Sequence, residues 1–258
     1  MTKVALSGAC GKMGRVIAGL VAARNDCEII AKIDPCASSA EVEVAGFYTK
    51  IADLPETPDV VIDFSHPSAL PGLLTYCKTK SVPLVVATTG YNQTEAALIK
   101  STASQIPVFF TGNMSLGINL LQDLARRAVR VLGTQYDVEI IEKHHNLKKD
   151  APSGTAHMLA DSISAEFAEL GVQKQYVYDR HKELCSRKRN EIGIHTVRGG
   201  TIVGEHEIVF AGHDELITLS HSALSKEVFA VGAINAAIFL TSCPKGLYDM
   251  SDLLRSTT

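Results

Sequence analysis

Val4-Ala5-Leu6-Ser7-Gly8-Ala9-Cys10-Gly11-Lys12-Met13-Gly14, near the start of the 258-residue chain, runs from a short apolar stretch into a glycine-rich turn. Beyond it Val16, Ile17, Leu20 and Val21 recur at helical spacing, so the segment reads strand, turn, helix. Glycines in such a turn let the backbone bend tightly and approach a pyrophosphate, whose charge meets free N–H groups and the positive end of the helix dipole. The spacing is G-x-x-G-x-x-G rather than the G-x-G-x-x-G of the dinucleotide fingerprint, so an ordinary strand-to-helix turn remains an alternative. Asp34 closes the next apolar run, 20 residues beyond Gly14, where a carboxylate accepts hydrogen bonds from ribose hydroxyls. Its alternative is a solvated strand-end carboxylate. At that position a carboxylate repels a 2′-phosphate and Pro35 adds no cation, so NADH is expected to bind at least as well as NADPH, with Lys12 partly offsetting the repulsion.

Outward from this segment, apolar runs at Glu28 to Ile33, Val60 to Phe64, Leu84 to Ala87 and Val108 to Phe110 alternate with helix-period segments such as Thr94 to Ser104. Runs apolar on both faces and separated by helices predict an α/β fold, a Rossmann-like doubly wound parallel sheet. Ligands in such sheets sit at the carboxyl ends of the strands, which singles out Ala87-Thr88-Thr89-Gly90 and Thr111-Gly112-Asn113-Met114, although either can be a plain turn. A long helical pattern from about Ile118 to Leu132 then leads to a strand at Val138 to Lys143 and a helix at about Thr155 to Leu170. Short, partly alternating runs at His195 to Val197, Ile202 to Phe210 and Glu215 to His221 predict an antiparallel, half-exposed sheet. The apolar segment from about Lys226 to Leu240 is expected to return to the first core. Residues 1–115 plus 226–258 therefore read as a dinucleotide-binding domain and residues 116–225 as a second, α+β domain, with hinge motion near residues 115 and 225.

Composition narrows the function. At 46% hydrophobic and 21% charged the chain buries a substantial core, which excludes disorder. Twenty-five Lys and Arg against 28 Asp and Glu leave no excess of positive charge for a phosphate backbone, so no nucleic-acid partner is expected. The six cysteines form no C-x-x-C pair, which fits a reducing cytoplasm better than a zinc ribbon or a disulfide framework. No signal-peptide stretch precedes Val4, and the apolar segment Val228 to Cys243 is too short for a membrane span, so a cytoplasmic protein with no membrane partner is expected.

The densest polar segment is Glu139-Ile140-Ile141-Glu142-Lys143-His144-His145-Asn146-Leu147-Lys148-Lys149-Asp150-Ala151-Pro152-Ser153-Gly154-Thr155-Ala156. Adjacent His144 and His145 in an extended chain point to opposite faces and match no zinc spacing, so no metal site is expected. Pro152-Ser153-Gly154-Thr155 opens a helix whose first N–H groups bind anions such as a carboxylate. With Lys148 and a histidine just upstream, this loop can hold a carboxylated substrate and supply a proton, as reduction of a conjugated acid requires. A solvated basic loop with an ordinary helix cap is the alternative. His66, His157, His181, His195, His206, His213 and His221 read as surface or framework residues, His195 least safely because Arg198-Gly199-Gly200 follows closely.

At this segment the chain resembles the 4-hydroxy-tetrahydrodipicolinate (dihydrodipicolinate) reductases of the diaminopimelate route to lysine. Gly8 to Gly14, Asp63-Phe64-Ser65, Thr88-Thr89-Gly90, Asn113-Met114-Ser115, Arg198-Gly199-Gly200, Gly204-Glu205-His206 and Gly246-Leu247-Tyr248-Asp249 fall in the family's order. The resemblance implies reduction of 4-hydroxy-tetrahydrodipicolinate, a small dicarboxylate, to tetrahydrodipicolinate by NADH or NADPH with loss of water, in a cytoplasmic homotetramer. It makes the second domain the substrate-binding and oligomerisation domain. By position it assigns His144 as proton donor and acceptor and Lys148 as proton donor. His145, Gly154 and Thr155 become substrate contacts, joined by Ser153 at the helix start. Gly8, Ala9, Cys10, Gly11, Lys12, Met13, Asp34, Ala87, Thr88, Thr89, Thr111, Gly112, Asn113 and Met114 become cofactor contacts. Ala87, Met114, Lys226 and Pro35 depart from residues frequent in the family and bear on coenzyme preference and closure. A nicotinamide-binding sensor, or a dehydrogenase for another amino or keto acid, would share the first domain and differ in the second.

Overall fold

Strand segments with apolar residues at every position cannot lie at a surface, and in the first half of the chain both of their faces are covered. In the computed structural model, which describes residues 1–37, 46–181 and 185–256, the chain divides into Met1–Leu116 with Glu227–Thr258 and, separately, Gly117–Lys226. The first unit holds β1 (Thr2–Ser7), β2 (Cys27–Ile33), β3 (Phe47–Tyr48), β4 (Val60–Asp63), β5 (Leu84–Val86), β6 (Pro107–Phe110) and β12 (Gly246–Tyr248). They form a parallel sheet in the order β12-β6-β5-β4-β1-β2-β3.

The period-2 alternation of side chains splits the buried residues between two cores. Val4, Leu6, Val60, Ile62, Val85 and Phe109 pack with Ile17 and Val21 of α1 (Lys12–Ala22) and Ala230, Ala233, Ala236 and Ala237 of α6 (Glu227–Leu240). Met250 and Leu253 of α7 (Met250–Ser256) close that layer. Ala5, Val61, Leu84 and Val108 pack instead with Leu73, Leu74 and Cys77 of α2 (Leu70–Lys80) and Ile99 of α3 (Gln93–Thr102). The doubly wound α/β sheet expected from the sequence is the one observed. Strand order reverses between β1 and β4, whose last residues, Ser7 and Asp63, are register partners, and ligands of such sheets bind at this reversal.

The second unit holds β7 (Asp137–His144), β8 (Gln175–Val177), β9 (Glu191–Arg198), β10 (Gly204–Ala211) and β11 (Leu216–Ala223) in the order β11-β10-β7-β9-β8. The expected antiparallel sheet is corrected here to a mixed one. β10 is antiparallel to β7 and β11, but β9 runs parallel to both β7 and β8. α5 (Gly154–Glu169) carries the chain back after β7, so that β8 re-enters in the direction of β7, and β9 then enters parallel to β8. One face of this sheet, with Val138, Ile140, Ile192, Ile194, Ile208 and Phe210, packs on Leu121, Ala125 and Val129 of α4 (Leu116–Leu132) and Leu159, Ile163 and Phe167 of α5.

Candidate active site

The side-chain period that builds the second core also builds its polar end. After Val138 and Ile140, the next inward positions of β7 are Glu142 and His144, both buried. Glu142 lies opposite His206 on β10 and Thr196 on β9, and His144 lies opposite Arg198 on β9. The core face thus turns from aliphatic to ionisable within one strand.

Glu142 is fully buried and collects five hydrogen bonds. Its Oε1 accepts from Arg198 Nη2 at 2.8 Å, Ser153 N at 3.1 Å and Thr196 Oγ1 at 3.1 Å. Its Oε2 accepts from Arg198 Nη1 at 2.8 Å and meets His144 Nδ1 at 2.6 Å. Burial alone raises the Glu142 carboxyl, but the hydrogen bonds from Arg198, His144 and Thr196 outweigh it and hold the group below its ordinary range. Burial lowers the His144 imidazolium, with the neighbouring charges of Lys148 and Arg198 adding to the effect and Glu142 opposing it.

The His206 ring stands edge-on to His144 at 5.2 Å, and burial pushes its pKa down to about 4. Its Nε2 lies 3.1 Å from Ser153 Oγ, which also accepts from Ala156 N at 3.1 Å and so caps α5. Ser153 is therefore buried in the framework, while Gly154 is exposed at the first turn of α5 with Thr155 beside it, half-buried. Lys148 pairs with Asp150 at 2.9 Å, and Arg198 Nη2 also donates to the Asp150 carbonyl at 2.6 Å. His145 presents a buried Nδ1 that makes no hydrogen bond among the described residues. The second unit thus gathers a cation, a carboxylate-linked imidazole and a helix start within one strand and the loop after it. His195 lies on the opposite face, 2.7 Å from Glu139 Oε2, in an ion-pair network with Arg180 and Arg187.

In the first unit the glycine turn is dictated by contact. Gly8 has φ +81°, and a Cβ there would stand 2.4 Å from the Phe64 carbonyl oxygen. A Cβ on Gly14 would stand 2.2 Å from the Gly8 oxygen. The turn therefore packs against its own helix and the end of β4. Helix α1 begins at Lys12 with no side-chain cap and no acidic residue in its first turn, so its positive end is neither capped nor neutralised by its own side chains. This cradle fits the pyrophosphate of a dinucleotide.

Asp34 is not a solvated strand end. It is buried, and its carboxylate accepts from Cys10 N at 3.0 Å and Cys36 N at 2.9 Å, fastening the turn to the end of β2. A carboxylate with two such bonds keeps acceptor capacity for ribose hydroxyls. Ala9 is buried, Met13 and Cys10 are half-buried, and Gly11 and Lys12 are exposed. Ala87 N donates to the Asp63 carbonyl at 2.9 Å, with Thr88 buried and Thr89 exposed after it. Thr111 Oγ1 reaches the Asn113 carbonyl at 3.4 Å, and Asn113 Oδ1 accepts from Ser115 N at 2.8 Å. Gly112 is exposed, whereas the Met114 side chain is packed into the core.

Several residues that shape these sites carried no assigned role in the sequence. Arg15 donates to the Cys10 carbonyl at 3.1 Å, and Asp63, fully buried at the strand reversal, takes hydrogen bonds from Ser65 and Tyr91. Glu142, Arg198 and His206 complete the list. Their signal was register: Glu142 occupies a core-facing position in a strand, where an unpaired carboxylate is too costly to persist.

Residues 2–114 match the family described as dihydrodipicolinate reductase, N-terminus, and residues 117–254 match dihydrodipicolinate reductase, C-terminus. The chain belongs to the dihydrodipicolinate reductase family. As a family member it is 46% identical over 255 residues to the 4-hydroxy-tetrahydrodipicolinate reductase of Caldanaerobacter subterraneus subsp. tengcongensis, covering 99% of both chains. It is 44% identical over 256 residues to that of Clostridium tetani, covering 99% of this chain and 98% of the relative. Among solved structures, the dipicolinate-bound dihydrodipicolinate reductase from Paenisporosarcina sp. TG-14 superposes with a TM-score of 0.78 at 26% identity, over 96% of this chain and 97% of that one. A myo-inositol dehydrogenase from Corynebacterium glutamicum, at a TM-score of 0.60 and 16% identity over 99% of this chain and 93% of that one, shares the fold alone. The resemblance read from the motifs is thereby shown, and this dihydrodipicolinate reductase family member is an NAD(P)H-dependent oxidoreductase. Among the described residues no helix is long and apolar enough to cross a membrane.

Proposed function

We propose that the chain reduces 4-hydroxy-tetrahydrodipicolinate to tetrahydrodipicolinate, with loss of water, in the diaminopimelate route to lysine. The observation that carries this reading is the buried Glu142–His144 pair beside the start of α5, in a chain that matches the reductase family along both units. NADH or NADPH, when bound, supplies the hydride. Gly8 to Met13 would cradle its pyrophosphate, Asp34 would take its ribose hydroxyls, and Ala87 to Thr89 and Thr111 to Met114 would make its remaining contacts. The dicarboxylate substrate is held by His145, Gly154 and Thr155, with Ser153 fixing the helix start whose N–H groups meet a carboxylate. Hydride addition to a conjugated acid leaves an enamine that needs a proton, and Lys148 and His144 supply and exchange it. Because Asp34 repels a 2′-phosphate, NADH serves at least as well as NADPH. The enzyme acts in the cytoplasm as a homotetramer built through the second unit.

Oxidation of NADH and NADPH at 340 nm, with substrate generated in place from pyruvate and aspartate semialdehyde by the corresponding synthase, tests the reading. Rapid substrate-dependent loss of absorbance with NADH is the expected result. No loss with either coenzyme, in protein that binds NADH, overturns it.

A further inference from the structure

We propose that Glu142, clamped by Arg198, is the positioning residue for His144: it keeps a proton on His144 Nδ1 and so makes Nε2 the nitrogen that exchanges a proton with the substrate. The proposal rests on the assignment of His144 above and deepens it.

Four donors other than His144 converge on the Glu142 carboxylate: two guanidinium N–H groups of Arg198, the Ser153 amide and the Thr196 hydroxyl. A carboxylate so surrounded is ionised and can only accept. The 2.6 Å contact with His144 therefore has Nδ1–H as its donor. In the neutral ring the lone pair is then on Nε2. That nitrogen makes no hydrogen bond among the described residues, and Gly204 lies beside it. A Cβ at Gly204 would stand 3.1 Å from Nε2, so the absent side chain keeps this edge of the ring uncrowded. The ring gains and loses its proton at Nε2 while Nδ1–H stays bonded to Glu142.

The arrangement also explains where the charge of Arg198 goes. Both of its terminal nitrogens are engaged, on Glu142 and on the Val197 and Asp150 carbonyls, so it serves the carboxylate rather than a ligand. The charged and titratable groups facing His144 are Glu142 on its own strand, Lys148 in the following loop, Arg198 from β9 and His206 from β10, with Asp150 paired to Lys148 and His221 opposite His206 on β11. Glu142 and Arg198 act on the His144 proton with opposite signs, which gives the test its discriminating power.

The experiment is 15N NMR of histidine-labelled enzyme, which reads the tautomer and titration of His144 directly, alongside the pH profile of turnover. In the unsubstituted enzyme His144 is expected to be the Nδ1–H tautomer. In Glu142→Gln its titration falls by about one pH unit or more, kcat falls about tenfold or more, and KM for NADH is unchanged. In Arg198→Gln the titration rises instead, and the double substitution returns it toward its starting point. Should Arg198→Gln fail to fold, the near-isosteric Glu142→Gln decides by the direction of its shift. An Nε2–H tautomer, or shifts that are absent or of the same sign in both variants, overturns the proposal. If the NMR shifts appear but His144→Ala leaves turnover intact, the catalytic assignment of His144 fails and the network is structural only.

Discussion

His144 and Lys148 sit a few residues apart in different settings, the one buried against a carboxylate and the other paired to a surface Asp150. Replacing either with Ala is expected to lower turnover at least about tenfold, the usual worth of a positioned proton-transfer group, while NADH affinity followed by fluorescence stays unchanged. His206 makes a separate prediction about stability. It is neutral and buried in the folded state, with its pKa lowered from 6.5 to about 4. Between those values the unfolded chain binds the proton more readily. Its contribution is complete above pH 6.5 and is lost as pH falls toward 4, a change worth about 3 kcal/mol. Urea titrations at pH 7 and pH 5 should show about 2 kcal/mol of that loss, and His206→Gln should remove this part of the pH dependence. At this scale the sequence revealed the polar residues of the loop, because they cluster and open a helix. It did not reveal the roles of Glu142, Arg198 and His206, because their partnership depends on which strands lie side by side.

At the scale of elements, close backbone approach governs the first unit. A Cβ at Gly232 of α6 would stand 1.7 Å from the Met114 carbonyl oxygen, so helix and loop touch through that glycine. Gly232→Ala is expected to destabilise the fold by about 1–3 kcal/mol and to weaken NADH binding as the segment from Thr111 to Met114 is displaced. Thermal melts with and without NADH check both effects. Long periodic elements were legible: β1, α1, β7, α4 and α5 lie within a few residues of where apolar spacing put them. β3, β8 and β12 were not, since two or three residues hold no period. Nor was the direction of β9, because alternation of side chains is the same in parallel and antiparallel pairs.

At the scale of the whole molecule, a homotetramer should sediment at four times the 27.7 kDa chain mass, and a monomer or dimer at micromolar concentration would refute that part of the proposed function. The return of α6 and α7 to the first core also sets an order of events at the ribosome. Residues 117–226 are contiguous and complete their own core from one stretch of chain. All of the first sheet except β12 emerges earlier, and it lacks Ala230, Ala233, Ile234, Ala236, Ala237, Leu240, Met250 and Leu253 until they too are translated. At about 5–20 residues per second, it waits about 5–30 seconds with one apolar face covered only by α1. The nascent first unit is therefore the stretch a chaperone would hold, although it is synthesised first.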